Sequence, residues 1–279
     1  MTCVPNLHLH LPADGKGIYM QGHANFYFLF RQLLGRELAS RYKTTALGFI
    51  WLLLQPLLML GVYTLVFSGI FKTRWAGAAT TADFALVLFA GLIIFNFLSE
   101  VLVSAPTLIV GQPNYVKKVV FPVEILPAVR VAAALVTALV SLVILLAAQA
   151  VVGQMPSPSA VLAPLILLEM VPMLLGVAWA ISALGVYLRD IAQFVGIISS
   201  MLLFLSPIFF PSSSIPQGLH ALIDFNPLVT PMEQLRAVTV QHSLPDFSAL
   251  AQHFALSVFV AGLSFQLFRR LSRGFADVL

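Results

Sequence analysis

The chain has 279 residues, of which 59% are hydrophobic and only 9% are charged. A soluble globular domain carries about 25% charged residues, so this composition excludes a water-covered globule and predicts an integral membrane protein. The formal net charge of +4 is interpreted as a bias in loop charge, because cytoplasmic loops of membrane proteins collect Lys and Arg, and it predicts no nucleic-acid partner.

The beginning of the chain predicts a cytoplasmic tail over residues 1–24, because this stretch mixes polar and apolar residues and lacks the apolar run of a signal peptide. No metal site is predicted there, since His8, His10 and Cys3 do not complete a ligand set. From Phe26 to Tyr42 apolar residues recur every four positions, with cations on the opposite side. This pattern predicts an amphipathic helix over residues 25–46 that lies along the cytoplasmic interface; the alternative is a solvated helix that only anchors the first span.

Six apolar runs follow, and each approaches the roughly 20 residues needed to cross the hydrocarbon core. They are predicted at about residues 47–71, 84–104, 124–152, 160–188, 191–210 and 250–268. The connection from Pro211 to Asp246 is half apolar and contains internal prolines. Because irregular backbone survives at membrane depth only where protein or a cavity covers it, this connection predicts short re-entrant helices at the outer mouth. Residues 47–279 are thus predicted to form one all-α polytopic membrane domain.

The distribution of cations predicts the orientation of the spans. If the N-terminus lies in the cytoplasm, most Lys and Arg residues fall on the inner side, and Lys72, Arg74 and Arg236 fall on the outer side. The opposite orientation would violate the positive-inside rule. Both termini are therefore expected in the cytoplasm.

Three charged residues lie inside predicted spans, where charge is costly and is a candidate for function. Glu100 and Arg130 have similar depths in the inner half of the bilayer, so the sequence predicts that they form an ion pair. Glu169 lies nearer the outer half and has no evident partner, which leaves a water-filled path or a subunit interface as its expected surroundings.

Two cytoplasmic connections are candidate docking elements for a partner protein. The first is the basic, proline-bracketed loop from Gly111 to Pro122, with Tyr115, Lys117 and Lys118. The second is the Arg189–Asp190 hinge between the fourth and fifth spans. The alternative is that Lys117 and Lys118 serve only as a positive-inside signal. The chain has no phosphate-binding G-x-x-x-x-G-K-[ST] loop, so it is not expected to bind ATP and no enzymatic activity is predicted.

The end of the fifth span predicts a gate. Prolines interrupt the run Ser206, Pro207, Ile208, Phe209, Phe210 and Pro211, so a continuous helix is not expected. Phe209 and Phe210 would then lie at a break, where apolar rings can close a pore by dewetting. The alternative is that both rings face lipid as part of the aromatic belt. Trp51, about one turn inside the first span, is grouped with these predicted channel and gate residues.

Four stretches, taken together and in order, resemble the ABC-2 type permeases that export polysaccharides such as O-antigen, capsular polysaccharide and teichoic acid. They are RELASRYKTTALGFIWLLLQP at residues 36–56, KKVVFPVEILP at 117–127, LRDI at 188–191, and SPIFFP at 206–211 followed by FNPLVTPMEQLR at 225–236. The resemblance extends from about Arg31 to the end of the chain. The first 25 or so residues show no such similarity.

The resemblance implies the fold of ABC-2 (type V) exporters and a homodimer that works with two copies of a separate ATPase subunit, which would bind ATP and Mg²⁺. It implies export of an undecaprenyl-diphosphate-linked glycan across the bacterial inner membrane, and contact of the N-terminal helix and the Lys117 loop with the ATPase. Arg36, Arg41 and Lys43 lie at the depth of the lipid diphosphate, and they are expected either to bind it or to anchor the helix.

Two other functions are weighed against this one. An ABC-2 permease for a small lipophilic molecule would share the spans and differ in the channel. A membrane-embedded transferase would need paired acidic groups or a His base, and Asp224, Glu233 and Asp246 on the outer connection show no such spacing.

Overall fold

The computed structural model describes residues 22–43, 47–66, 81–117, 121–211 and 226–279. Every regular element within these ranges is helical. In chain order the α-helices are α1 Gly22–Lys43, α2 Ile50–Thr64, α3 Thr81–Ser104, α4 Pro113–Lys117, α5 Ile125–Val151, α6 Ala163–Glu169, α7 Val171–Tyr187, α8 Ile191–Leu205, α9 Val229–Thr239, α10 Phe247–Leu271 and α11 Phe275–Val278. The all-α membrane fold predicted from the sequence is confirmed.

Four of the predicted spans contain helical stretches long and apolar enough to cross a membrane: 82–107, 125–151, 158–187 and 247–278. The third of these joins a 3-10 turn, Pro158–Leu162, to α6 and α7. The first and fifth predicted runs hold the shorter helices α2 and α8, of 15 residues each. Part of the first run, the connection that follows it, and residues 212–225 of the predicted re-entrant segment lie outside the described residues.

Local signals fix the ends of the long helices. Helix α5 stops at Val151, and Gly153 has a φ of +85°, a conformation that side chains with a Cβ rarely adopt. This turn lets the Gln154 amide donate to the Gln149 carbonyl, as at many helix C-termini. Helix α10 begins after Asp246, whose carboxylate accepts hydrogen bonds from the Ser248 and Ala249 amides. Both ends satisfy backbone groups that the helix leaves without partners.

Helix α3 lies at the centre of the bundle. Residues 84–95 are all buried, and α5, α7, α8 and α9 pack around the helix. A helix that is apolar on all sides is typical of such a central position. Helices α7 and α10 also pack closely against each other. A Cβ added to Gly176 on α7 would lie 3.2 Å from backbone atoms of Ala261 on α10. Small residues let membrane helices approach closely, which accounts for this tight contact.

The N-terminal helix α1 packs against α5. Leu33 is buried in a cluster with Ile125, Leu126 and Val129, and Leu29, Phe30 and Leu34 pack against this cluster, whereas Phe26 is 45% exposed. The apolar stripe read from the sequence is therefore used partly within the protein. Its predicted position along the membrane interface stays a prediction.

Helix α9 is the described part of the predicted re-entrant connection. Pro231, Met232, Leu235 and Val238 are buried, and the helix packs against α3 and α6. Its C-terminal end is held by two side chains, because Gln149 donates to the Thr239 carbonyl (2.7 Å) and Ser159 donates to the Val238 carbonyl (3.0 Å). This helix is thus part of the protein core and does not lie in an exposed loop.

Candidate functional site

A polar cavity of about 640 Å³ opens between α2, α3 and α5. Each helix contributes residues spaced three, four or seven positions apart, which places them on one face of that helix. They are Gln55, Met59 and Tyr63 on α2, Asn96, Ser99, Glu100 and Val103 on α3, and Arg130, Thr137 and Ser141 on α5. Hydroxyl and amide groups therefore line a space within a bundle that is otherwise strongly apolar.

A cluster of four charges lies at one end of this cavity. Arg41 donates to Glu100 Oε1, and Arg130 Nη1 donates to Glu37 Oε1 at 2.8 Å. Arg41 Nε lies 3.5 Å from Glu37 Oε1, and Arg130 Nη2 lies 3.9 Å from Glu100 Oε1. The predicted Glu100–Arg130 pair is therefore only the longest of four contacts. Two cations and two anions cancel, so this charged cluster has no net charge.

The charged cluster still presents an unused donor. Among the described residues, Arg41 Nη2 is buried and has no hydrogen-bond partner, and Arg41 lines the cavity. Arg130 Nε instead donates to Ser104 Oγ at 2.7 Å. A buried guanidinium group without its full set of acceptors is costly, so this end of the cavity is suited to an anionic or hydroxyl-bearing ligand.

Arg36 does not belong to the charged cluster, although the sequence grouped it with Arg41 and Lys43. It is exposed and donates to the Tyr115 hydroxyl at 2.8 Å and to Gln112 Oε1 at 3.4 Å. The Tyr115 ring stacks on Phe121, with ring centroids 4.4 Å apart. Arg36 therefore connects α1 to the loop that contains α4. The Lys43 side chain lies outside the described part of the chain, so its predicted role stays a prediction.

The predicted docking residues lie at one end of the bundle. Lys117 is exposed at the end of α4, and Arg189 and Asp190 are exposed in the turn between α7 and α8. The loop and this turn border a cavity of about 370 Å³ that the C-terminal Leu279 also lines. Lys118 lies outside the described residues. The exposure of Lys117, Arg189 and Asp190 is compatible with docking of a partner protein, which stays a prediction.

Arg236, which the sequence placed on the outer side, is a buried residue, and its side of the membrane stays a prediction. It lies on α9 with 2% of its surface exposed. Its guanidinium donates to the carbonyl oxygens of Val87 (3.1 Å), Pro207 (2.6 Å) and Ile208 (3.1 Å). Carbonyls at a helix break have lost their helical donors, and Arg236 supplies donors to two of them. It therefore joins α3, α9 and the break after α8.

Gly91 on α3 leaves the space that the Arg236 guanidinium occupies. A Cβ at position 91 would lie 2.5 Å from Arg236 Nη2. We expect Gly91→Ala to lower the free energy of unfolding by about 1–3 kcal/mol, the usual effect of overpacking. The matched control is Gly61→Ala on α2, where no atom of the described residues lies within 4 Å of the added Cβ. Alanine there should stabilise the helix by up to about 1 kcal/mol. Thermal unfolding in detergent measures both variants, and equal effects would contradict the assigned packing.

The predicted gate residues follow α8. Ser206 and Pro207 are buried, and Ser206 Oγ accepts a hydrogen bond from Asn226 Nδ2 at 2.9 Å. Phe209 and Phe210 are half-buried. The Phe209 ring lies 6.2 Å from that of Tyr63, which lines the polar cavity. Trp51 is 36% exposed on α2. The break that the prolines predict is present, and its function as a gate stays a prediction.

The sequence showed no evident partner for Glu169, and the structure supplies one. His253 Nδ1 on α10 forms a hydrogen bond with Glu169 Oε1, and His253 Nε2 lies 2.9 Å from the Pro227 carbonyl oxygen. Sequence reasoning also missed Glu37, although its spacing of four from Arg41 is a recognisable helical ion-pair signal. No local signal joins Glu169 to a histidine 84 positions away.

Comparison with known proteins gives one consistent result. The family model described as ABC-2 type transporter matches residues 28–240. The O-antigen export system permease protein RfbA of Myxococcus xanthus is 28% identical, over 89% of this chain and 94% of that protein. Two proteins of the same name from Klebsiella pneumoniae are 25% and 24% identical, each over 91% of this chain and 97% of its own length. With its apolar helices and a family match over most of its length, this multi-pass membrane protein belongs to the ABC-2 type transporter family.

Proposed function

We propose that this protein is the membrane subunit of an ATP-driven exporter of a lipid-linked polysaccharide, an O-antigen or a similar undecaprenyl-diphosphate-linked glycan, across the bacterial inner membrane. The observation that carries the proposal is the similarity over nine-tenths of the chain to proteins named O-antigen export permeases. A polar cavity within apolar helices supports it.

The chemistry of the cavity favours a glycan over a small lipophilic molecule. Asn96, Ser99 and Thr137 offer donors and acceptors, and Asn96 is exposed although its neighbours along α3 are buried. Ligand sites that bind sugars need such polar groups, and Ser99 and Thr137 already bond within the protein, to Ser199 Oγ and the Ala133 carbonyl. A lipophilic cargo would leave the Asn96 amide without partners, at a cost of about 1–3 kcal/mol. Tyr63 adds an aromatic face to the same wall.

The charged cluster suits the diphosphate of a lipid carrier. Within the part of the chain that the structure describes, Arg41 Nη2 has no acceptor, and guanidinium groups bind phosphate oxygens in a bidentate manner. Arg36 and Lys43 on the same helix would add positive charge to the region. In this proposal the diphosphate stays near α1 while the glycan occupies the polar cavity.

Energy would come from a separate ATPase subunit, since this sequence has no phosphate-binding loop. Two such subunits would dock on a homodimer of this chain, through Tyr115, Lys117 and Lys118 on one loop and Arg189 and Asp190 at the hinge. The termini would then lie in the cytoplasm, in agreement with the distribution of cations.

An export assay tests the proposal. We expect proteoliposomes that contain this chain and its ATPase subunit to move a lipid-linked glycan when ATP is supplied. Asn96→Leu should reduce the export rate about tenfold, the effect of one lost hydrogen bond of ~1.4 kcal/mol. The matched control is Gln266→Leu, because Gln266 is exposed on α10 and does not line the cavity.

The outcome distinguishes the two cargo classes. If the cargo is lipophilic, the Asn96→Leu variant should export it at an unchanged or higher rate. Neither the wild type nor the variant should then export the glycan. The membrane subunit alone should show no ATP hydrolysis. ATP hydrolysis by the isolated chain would contradict the proposal that a separate subunit hydrolyses ATP.

A further inference from the structure

Glu169 and His253 form a buried polar pair that joins three parts of the chain. Glu169 is the last residue of α6, His253 lies two turns into α10, and Pro227 precedes α9. The side chains of Glu169 and His253 are only 8% and 9% exposed. Such a pair is costly to keep inside a membrane protein and is therefore a candidate for function.

The two hydrogen bonds of His253 determine how many protons the Glu169–His253 pair must hold. A carbonyl oxygen can only accept, so the 2.9 Å contact with Pro227 requires a hydrogen on His253 Nε2. His253 Nδ1 faces Glu169 Oε1, and this contact is a hydrogen bond only if one further proton lies between the two atoms. Without that proton, a nitrogen lone pair would face a carboxylate oxygen. Both contacts can be hydrogen bonds at the same time only if the pair shares one proton.

The surroundings favour a pair without net charge. Within the described residues, Glu169 Oε2 is buried and has no hydrogen-bond partner. A fully ionised carboxylate would leave that oxygen unsolvated at high cost, whereas a carboxylic acid that donates to Nδ1 would not. Glu169 and His253 bond only to each other and to Pro227 in the described part of the chain.

Other charges nearby are engaged elsewhere or lie far along the helices. On the elements packed against the pair, the titratable and charged side chains are Arg130 on α5, Tyr187 on α7, Glu233 and Arg236 on α9, and Asp246, Arg269 and Arg270 at the two ends of α10. Arg236 bonds to carbonyl oxygens, and Asp246 caps α10. Arg269 lies sixteen residues from His253 on α10, about 24 Å away along the helix.

The Glu169–His253 pair is connected to the helix break through Pro227 and its neighbour Asn226. Asn226, next to Pro227, donates to Ser206 Oγ and accepts from the Leu228 amide. Ser206 begins the segment that carries Pro207 and Phe209. A change at His253 would therefore reach the break through Pro227 and Asn226.

We propose that Glu169 and His253 form a binding site for a single proton, and that this bound proton clasps the start of α9 to α6 and α10. The proton holds His253 in the orientation that donates to Pro227. When it is lost, the one hydrogen left on the imidazole is held on Nδ1 by the Glu169 carboxylate, so Nε2 can no longer donate to the Pro227 carbonyl, and the segment at Asn226 and the break beyond it are freed. The clasp is closed at lower pH and opens as the pH rises.

Nitrogen NMR of the full chain, labelled at histidine and reconstituted in lipid, tests the proton directly. The His253 signals are identified by their loss in His253→Phe. We expect Nε2 to carry hydrogen and Nδ1 to show a strong hydrogen bond at low pH, and Nε2 to lose its hydrogen as the pH is raised. A bare Nε2 at low pH, or signals that do not change with pH, would overturn the proposal.

Hydrogen exchange of the amides in residues 226–232 tests the clasp. Glutamine at position 169 can donate to Nδ1 as the protonated acid does, whereas alanine cannot. After correction for intrinsic rates, the wild-type segment should exchange about tenfold faster at high pH, the effect of one lost hydrogen bond. Glu169→Gln should stay slow at every pH, and Glu169→Ala should be fast at every pH.

The control is Glu124→Gln, the same change at the other end of the bundle, which should exchange as wild type does. If Glu169→Gln matches Glu169→Ala, or if wild-type protection does not depend on pH, the proton site is wrong. Neither measurement uses cargo or an ATPase subunit, so this result is independent of whether a glycan is exported.

Discussion

Replacing Arg236 with methionine is expected to abolish the stable folded state. Three carbonyl oxygens, on Val87, Pro207 and Ile208, accept from this one side chain. The Val87 carbonyl lies within α3 and keeps its helical donor, whereas the Pro207 and Ile208 carbonyls would each be left without a donor at about 1–3 kcal/mol. The sum is a large fraction of the total stability of a typical protein, about 5–15 kcal/mol. Methionine fills a similar volume, so the loss isolates the hydrogen bonds from packing.

Size-exclusion chromatography and thermal unfolding of purified protein measure this effect. We expect the yield of monodisperse protein to fall at least about tenfold, a difference of ~1.4 kcal/mol or more. Arg273→Met is the matched control, because Arg273 is exposed in the last turn of the chain. If Arg236→Met gave a wild-type yield and melting temperature, Arg236 would not hold the break in place.

Substitutions in the charged cluster are the second change that we expect to lower stability strongly. Arg41→Met and Glu100→Gln should each lower the melting temperature, because each leaves a partner charge in a half-buried site. The double variant should lose less than the sum of the single losses. Directly bonded pairs of this kind show coupling of about 1–3 kcal/mol.

The pair predicted from the sequence supplies the comparison. Arg130 Nη2 lies 3.9 Å from Glu100, while Arg130 Nη1 bonds to Glu37. The coupling between Glu100 and Arg130 should therefore be smaller than the coupling between Glu100 and Arg41. The reverse order, or strictly additive losses in both cycles, would contradict the assigned network. Two double-mutant cycles that share Glu100→Gln, measured by thermal unfolding in one detergent, provide the comparison.

Hydrophobic runs predicted the membrane helices well. The run at 124–152 corresponds to Ile125–Val151, and the run at 84–104 lies within Thr81–Ser104. Apolar length is a property of the local sequence, and a lipid environment requires helices from it. The site was less predictable, because depth along a helix does not give the direction in which a side chain points. Glu100 and Arg130 have similar depths, yet Glu100 pairs most closely with Arg41 and Arg130 with Glu37.

The partners of Arg236 and Glu169 were not predicted, for a related reason. Arg236 lies in a segment rich in prolines, which resembles a loop, and only the tertiary fold shows that it bonds to carbonyls at a break 28 and 29 residues earlier. Glu169 pairs with a residue 84 positions later. Long-range polar contacts in membrane proteins leave no periodic signal in one sequence, whereas apolar faces do.

The length of α8 has a consequence for the surrounding bilayer. Its 15 residues rise only about 22 Å, against a hydrocarbon core of about 30 Å. One face of the helix is exposed and apolar, with Phe194, Ile197, Met201 and Phe204. Where this face meets lipid, the acyl chains must compress to match it, at a fraction of a kcal/mol per Å. Bilayer thickness therefore acts directly on the helix that leads into the break.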